Sequence, residues 1–91
     1  MAKVVVTITI MPESPDTDLK GLEVKATEKI KRFGGDVGKV ECEPIAFGLK
    51  ALKLIFVMEE SIGSTETLEE DIKKIHGIQS VETTDVRRAI G

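Results

Sequence analysis

The sequence predicts an α+β fold in which four strands and two helices follow one another in the order βαββαβ. Three observations indicate it: a β-branched run near the start, two segments with apolar residues at helical spacing, and apolar-polar alternation in the remainder. The chain has 91 residues, of which 41% are hydrophobic, and this is enough for one core. We therefore expect a single domain over residues 1–91.

The first half of the chain predicts a central strand followed by a helix. Residues 3–11 are dominated by β-branched side chains, which favour a strand. Asp16, Thr17 and Asp18 are candidate N-caps for the helix, and Gly34-Gly35 supplies its stop. The apolar residues at helical spacing between these signals are Leu19, Leu22, Ala26, Ile30 and Phe33.

Two strands are predicted next, over residues 36–47 and 49–58, with a turn at Phe47-Gly48. Because Pro44 has no N–H to donate, the first of them is expected to be an edge strand or to kink there. Its alternation predicts that Val40 and Cys42 face the core.

A second helix and a last strand complete the predicted order. Leu68, Ile72 and Ile75 form the inward stripe of the helix, and Gly77 ends it. The last strand covers residues 78–90, with a bulge expected near Asp85 because Val86 is out of phase. Right-handed crossovers then give an antiparallel sheet of order 4-1-3-2 with both helices on one face, the ferredoxin-like sandwich.

Composition excludes several functions. The net charge of -3 argues against a general polyanion binder, so nucleic acid is not expected as a direct partner, although a local basic patch stays possible. One cysteine allows no intramolecular disulfide, and the amino terminus lacks the features of a secretory signal. No apolar run reaches the roughly 20 residues of a membrane span, so we expect a cytoplasmic protein that binds no membrane.

The residues of catalysis and metal binding are also missing, so we expect no enzyme, cofactor or metal. His76 is interpreted as a complement to a helix dipole, and Cys42 as a small buried hydrophobe. Turns and caps explain Glu13, Asp16 and Asp18 better than a calcium site does. The acids between residues 66 and 71 are interpreted as a solvated helix face. A metal chaperone would need a cysteine pair, and an RNA-recognition domain would need sheet aromatics.

Three segments carry a resemblance to a known family. Residues 44–52, "PIAFGLKAL", resemble the signature of the guanine-nucleotide exchange domain of translation elongation factor 1-beta. The stretch "VMEESIGSTETLEEDI" is similar to the acidic turn and helix of that family, and "IQSVETTDVRRAIG" to its closing strand. Length and motif order are similar to the archaeal form of the family.

The resemblance implies a protein that binds elongation factor 1-alpha, GDP-bound and nucleotide-free, and promotes GDP release so that GTP can load. In the family an aromatic residue, matched here by Phe47, docks into the second domain of that GTPase, and Ala46 and Gly48 flank it. A second contact is implied for the carboxy-terminal segment, at the residues Asp85, Arg87, Arg88 and Ile90.

This chain departs from the eukaryotic pattern at that second contact. Gly91 stands where the family has a near-terminal lysine that reaches the magnesium region of the GTPase. Arg87 or Arg88 could replace that lysine, or both could be solvated charges at the end of a strand. The rival function is a small-molecule-binding regulatory domain of the same topology, with "SIGST" as a weak candidate anion site. Judged without the resemblance, Phe47 could merely cover the end of the sheet.

Overall fold

The computed structural model describes residues 2–89 and has the predicted order of elements. Strand β1 (Lys3–Pro12) leads through a proline-containing turn to helix α1 (Leu19–Phe33). Strands β2 (Asp36–Pro44) and β3 (Lys50–Glu59) form a hairpin. A single 3₁₀ turn (Glu60–Ile62) precedes the short helix α2 (Glu66–Lys73), and β4 (Ile78–Ala89) follows.

The four strands form one antiparallel sheet in the order β2-β3-β1-β4, which is the predicted order read from the other edge. The ferredoxin-like prediction is therefore confirmed. β1 is a central strand, and β2, which contains Pro44, is an edge strand as expected. An inner strand needs hydrogen bonds on both sides, but an edge strand pairs on one side only. The N–H that proline lacks is therefore tolerated at this edge.

The core lies between one face of the sheet and the two helices. Alternation along β1 and β3 sends every second side chain into it, as a period of two requires. The helices contribute residues spaced three and four apart. Members of this core from the sheet and the helices include Val6, Ile8, Leu54, Phe56, Ala26, Ile30, Leu68 and Ile72. The opposite face of the sheet, called the open face below, carries half-buried residues such as Val5, Ile55 and Val57.

The signals that predicted the ends of α1 are the groups that close it. Asp18 Oδ1 accepts a hydrogen bond from the backbone N–H of Gly21 at 3.2 Å. Gly34 adopts the left-handed conformation with φ 112° and donates to the carbonyl of Ile30. A Cβ atom on Gly35 would lie 2.7 Å from side-chain atoms of both Ile30 and Phe56, so only glycine fits there.

A bulge in β4 lies one residue from its predicted position. Thr7 pairs with Asp85 and Ile8 pairs with Thr83, so Thr84 has no partner of its own in the register with β1. This extra residue changes the phase of the strand that follows. Arg87 consequently pairs with Val5 on the open face, whereas Arg88 pairs with Val4 on the helix face.

The prediction that Cys42 is buried is wrong. Cys42 pairs with Leu52 and so shares the core-facing side of the sheet, but its side chain is exposed. β2 is an edge strand, and burial along it ends at Val40, which packs against the core only in part. The alternation gave the right side of the sheet for Cys42 but could not show how far the helix layer extends over it.

Candidate functional site

The β2–β3 hairpin ends in a tight turn that presents Phe47 at its tip. The turn runs from Ala46 to Leu49, and the N–H of Leu49 donates to the carbonyl of Ala46 at 3.1 Å. The N–H of Ile45 donates to the carbonyl of Leu49 at 2.9 Å and closes the hairpin. Phe47 and Gly48 are therefore the two central residues of the turn, as the sequence predicted.

Both central residues of this turn have a positive φ, 59° at Phe47 and 76° at Gly48. Two positive values are the pattern of the primed turns that match the twist of a hairpin, and Asn-Gly is the usual sequence for them. A phenylalanine in this conformation costs about 1–2 kcal/mol relative to an unstrained backbone. The fold therefore carries strain at the residue that has the most exposed large apolar side chain among residues 2–89.

The exposure of Phe47 argues against its interpretation as a cover for the end of the sheet. Its side chain is 92% exposed, so it does not cover the end of the sheet. Ile45, two residues earlier, is 44% exposed. Together Ile45 and Phe47 form a projecting hydrophobic surface, called the apolar tip below. Isolated exposed hydrophobic residues are common, whereas a residue that is both exposed and strained is a candidate for a proposed binding role.

Two ion pairs lie on the open face of the hairpin, below the apolar tip. Lys53 Nζ pairs with Glu43 across the strands, and Lys39 Nζ lies 3.5 Å from Glu41 Oε2. The hydrogen bond from Lys53 to Glu43, together with the negative charge of that carboxylate, raises the pKa of Lys53 above 10.5. The Lys53–Glu43 pair joins β3 to β2 and so supports their register, whereas the Lys39–Glu41 pair lies within β2.

The carboxy-terminal part of β4 holds the other predicted contact residues. Arg87 Nε lies 2.9 Å from Asp85 Oδ2 on the open face. Arg88 donates from Nε and Nη2 to the two carboxylate oxygens of Glu60, at 3.0 and 2.9 Å. The two arginine side chains remain 79% and 71% exposed. The two arginines lie on opposite faces of the sheet, and the sequence did not indicate Glu60 as a partner of Arg88.

The structure does not bring the two predicted contact regions together. Ala46, Phe47 and Gly48 lie at one end of the sheet, and Asp85, Arg87 and Arg88 lie near the other, where β4 pairs with the start of β1. Ten residues of strand correspond to about 33 Å, so the two regions are on the order of 30 Å apart. The long axis of the molecule measures 42 Å. The predicted contact residue Ile90 lies outside the described residues.

Sequence reasoning missed a polar contact between α2 and β4. Glu69 Oε2 accepts hydrogen bonds from the hydroxyls of Thr65 and Thr83, at 3.3 and 2.5 Å. Glu69 is half-buried, so the interpretation of residues 66–71 as a wholly solvated face is wrong at this position. The spacing of four between Thr65 and Glu69 was a usable signal, but the contact with Thr83 needs the fold. This contact anchors β4 one residue before its bulge.

The start of α2, the candidate anion site of the rival function, is already occupied by groups of the protein itself. Ser64 Oγ accepts the N–H of Glu66 at 3.1 Å. Glu66 and Glu69 lie in the first turn, where their negative charge complements the helix dipole and repels an anion. Within residues 2–89 there is no group of three or more potential metal ligands. Neither described helix has the length and apolar character of a membrane span.

Solved structures similar to this one establish the class of fold independently. The crystal structure of the ACT domain from GTP pyrophosphokinase of Chlorobium tepidum aligns with 89% of this chain and 97% of its own, with a TM-score of 0.58 and 23% identity. The solution structure of the same domain gives a TM-score of 0.61 and 18% identity. At such identities the likeness shows the ferredoxin-like fold alone.

Sequence comparison then gives the family. The EF-1 guanine nucleotide exchange domain matches residues 5–89, and the chain belongs to this family. Proteins named elongation factor 1-beta from Methanothermobacter thermautotrophicus and Methanobrevibacter smithii are 47% and 49% identical to it, each over 97% of this chain and 98% of the relative. A relative of the same name from Staphylothermus marinus is 42% identical over the same shares. The resemblance to the archaeal form is thus confirmed.

Proposed function

We propose that residues 1–91 act as one guanine-nucleotide exchange domain for elongation factor 1-alpha in the elongation phase of protein synthesis. The factor binds both the GDP-bound and the nucleotide-free GTPase, hastens GDP release and lets GTP load. The observation that carries the proposal is Phe47, which projects from a strained turn at the position of the family's docking aromatic. Membership in the exchange-domain family supports the same assignment.

Exchange of this kind needs binding energy and no covalent chemistry. A factor that prefers the nucleotide-free GTPase must weaken GDP binding by the same factor, because the coupling between the two sites is reciprocal. A preference of about 1.4 kcal/mol corresponds to about tenfold in GDP affinity. The protein is accordingly not an enzyme in the bond-making sense, and the exchange step requires no cofactor, nucleic acid or membrane. The cytoplasm, where translation takes place, is its proposed location.

The apolar tip is the proposed anchor, with Ala46 and Gly48 in contact beside Phe47. Full burial of a phenylalanine side chain contributes about 1.5–3 kcal/mol. A central aromatic of this type costs about 2 kcal/mol or more when truncated. The backbone strain is already present in the free protein, so the ring needs no further rearrangement before it docks. Pre-organisation of this sort lowers the entropic cost of binding.

The second proposed contact is the end of β4, where Asp85, Arg87, Arg88 and Ile90 meet the GTPase. Both arginines are largely exposed and paired with carboxylates. Exposed pairs contribute about 0–1 kcal/mol, so a carboxylate or phosphate group of the partner can replace the internal one at little cost. One of the two arginines then supplies the cation that the family's near-terminal lysine supplies. Because the two contacts are about 30 Å apart, one factor would contact two separate regions of the GTPase.

The decisive experiment measures release of fluorescent GDP from elongation factor 1-alpha by stopped flow, at factor concentrations below saturation. Wild-type protein should accelerate release, and Phe47→Ala should weaken the effect by about 30-fold, the equivalent of about 2 kcal/mol. Val24→Ala is the matched control, because Val24 is an exposed aliphatic residue that lies on α1 and outside the turn. If both variants exchange like wild type, the apolar tip has no role in docking.

The β4 contact needs its own test in the same assay. Arg87→Ala and Arg88→Ala are compared with a chain lacking Ala89 to Gly91. A loss confined to one arginine variant identifies the cation that acts, and wild-type rates in all three variants would remove the end of β4 from the proposal.

A further inference from the structure

A groove between the two helices concentrates positive charge on a protein that is acidic as a whole. The chain has 13 basic and 16 acidic residues, whereas α1 alone carries five basic and two acidic ones. A surface groove of about 240 Å³ lies between α1 and the residues that follow α2. It is called the basic groove here, and its four basic side chains are Lys25, Lys29, Arg32 and Lys74.

Helix geometry places three of these cations in a row. Lys25, Lys29 and Arg32 are four and three residues apart, so they lie on one side of α1. At 1.5 Å of rise per residue the row is about 10 Å long. Lys20 and Lys31 belong to the same helix but lie about 120–140° away around its axis, and they do not line the groove.

The internal partners of the groove leave it with an excess of positive charge. Lys29 Nζ pairs with Asp71 Oδ1 at 3.2 Å, and Glu28 is the single acidic residue of the lining. Across residues 2–89, none of the ion pairs involves Lys25, Arg32 or Lys74. Like charges brought together without partners raise the energy of the fold unless an anion joins them.

Helix dipoles account for only part of this cluster. Arg32 and Lys74 lie at the carboxyl ends of α1 and α2, where a cation is favoured. Lys25 lies in the middle of α1, where the dipole gives it no benefit, and yet it faces the same groove. The position of Lys25 in this row is therefore better explained by an anionic ligand.

We propose that the basic groove binds the phosphate backbone of RNA. A phosphate backbone requires little more than closely spaced cations, and the four cations of the groove can face successive phosphates of one strand. No Phe, Tyr or Trp lines the groove, and its one ring is the imidazole of His76, so backbone contacts that do not depend on base sequence dominate. The binding of a phosphate backbone is inferred from the groove alone. The choice of RNA over DNA as the natural ligand rests on the proposed role in protein synthesis.

An acidic protein segment fits this groove less well. Protein ligands depend on an apolar or aromatic anchor for most of their affinity. Among the lining residues the one aliphatic side chain is Ile75, and it is only 7% exposed. The net charge of -3 had argued against nucleic acid as a direct partner. That sum does not show that α1 is basic and the remainder of the chain acidic.

The groove lies in the helix layer and shares no lining residue with either proposed GTPase contact. Phe47 lies at the turn of the β2–β3 hairpin, and neither Arg87 nor Arg88 lines the groove. RNA and the GTPase could therefore be bound at the same time.

The test is the binding of a fluorescein-labelled oligouridylate of about 20 nucleotides, followed by anisotropy. With three or four phosphate contacts, the affinity of wild-type protein should fall about 20- to 50-fold between 50 and 200 mM salt. The groove variant Lys25→Glu with Arg32→Glu should lose at least about tenfold in affinity at the lower salt concentration. The control variant Lys20→Glu with Lys31→Glu changes the net charge by the same amount and should lose less than about threefold.

Several outcomes would overturn the proposal: no binding by wild-type protein, equal losses in the two double variants, or equally effective competition by an oligoglutamate of matched charge. A DNA strand of the same length is expected to bind similarly, because phosphates are the shared chemistry. Thermal unfolding checks that both variants fold, and Lys25→Gln with Arg32→Gln is a milder replacement. Without RNA, the groove variant should promote GDP release at the wild-type rate, so failure of this proposal and failure of the exchange proposal are distinguishable.

Discussion

Replacing Phe47 by asparagine should stabilise the fold while it abolishes the proposed anchor. The ring is 92% exposed, so its removal loses almost no burial. The positive φ of 59° costs a phenylalanine about 1–2 kcal/mol, and asparagine tolerates this region better. Asn-Gly is also the preferred pair for such a turn. We expect Phe47→Asn to gain about 0.5–1 kcal/mol of unfolding free energy, which raises the Tm by several degrees.

Phe47→Ala separates the two effects. Alanine loses the ring but keeps the backbone penalty, so its unfolding free energy should stay within about 0.5 kcal/mol of wild type. Both variants should lose nucleotide exchange equally, although only Phe47→Asn gains stability. Urea unfolding followed by circular dichroism gives the stabilities, and labelled-GDP release gives the exchange rates. If Phe47→Asn lowered the unfolding free energy by about 1 kcal/mol or more, the ring would contribute to the fold and the reasoning would be refuted.

Three further predictions concern other parts of the molecule. Gly35→Ala should lower the unfolding free energy by about 1–3 kcal/mol, because the new Cβ would clash with two core side chains. A urea-unfolding midpoint equal to that of wild type would contradict the close approach of these side chains to Gly35. Glu60→Gln should leave GDP release at least as fast as in wild type, whereas Arg88→Ala should slow it. Equal losses in the two variants would mean that the Arg88–Glu60 pair is only structural. Because Glu43 raises the pKa of Lys53 above 10.5, the pair stabilises the folded state below that pH and loses its effect as the pH rises through the folded-state pKa. Lys53→Gln should therefore unfold at lower urea than wild type at about pH 8, and a gap between the two proteins that does not shrink as Lys53 is deprotonated would argue against the pair.

Local chemistry was enough to predict most of the fold. Asp18 and Gly34 closed α1 as their side chains and backbone preferences required. The alternation along β1 predicted its buried face, and Val86 out of phase revealed a bulge that lies at Thr84. Each of these features depends on neighbours in sequence, and for that reason one sequence sufficed.

Features that depend on distant segments could not be predicted. The exposure of Cys42 follows from how far the helix layer extends over β2, which no local pattern encodes. The pairing of Arg88 with Glu60 joins residues 28 positions apart. The strain at Phe47 also required the structure, because the sequence marked a turn there without giving the sign of φ. The Arg88–Glu60 pair and the strain at Phe47 are also features that the site proposals use.

Coupling between factor binding and GDP binding is the central claim, and affinity measurements on two states of elongation factor 1-alpha test it most directly. Titration of the wild-type protein against the nucleotide-free and the GDP-bound GTPase gives two dissociation constants. The account predicts tighter binding to the nucleotide-free form by at least about tenfold, equivalent to about 1.4 kcal/mol, and a matching loss of GDP affinity in the complex. Equal affinity for the two forms would contradict it, since such a factor could not shift the nucleotide equilibrium.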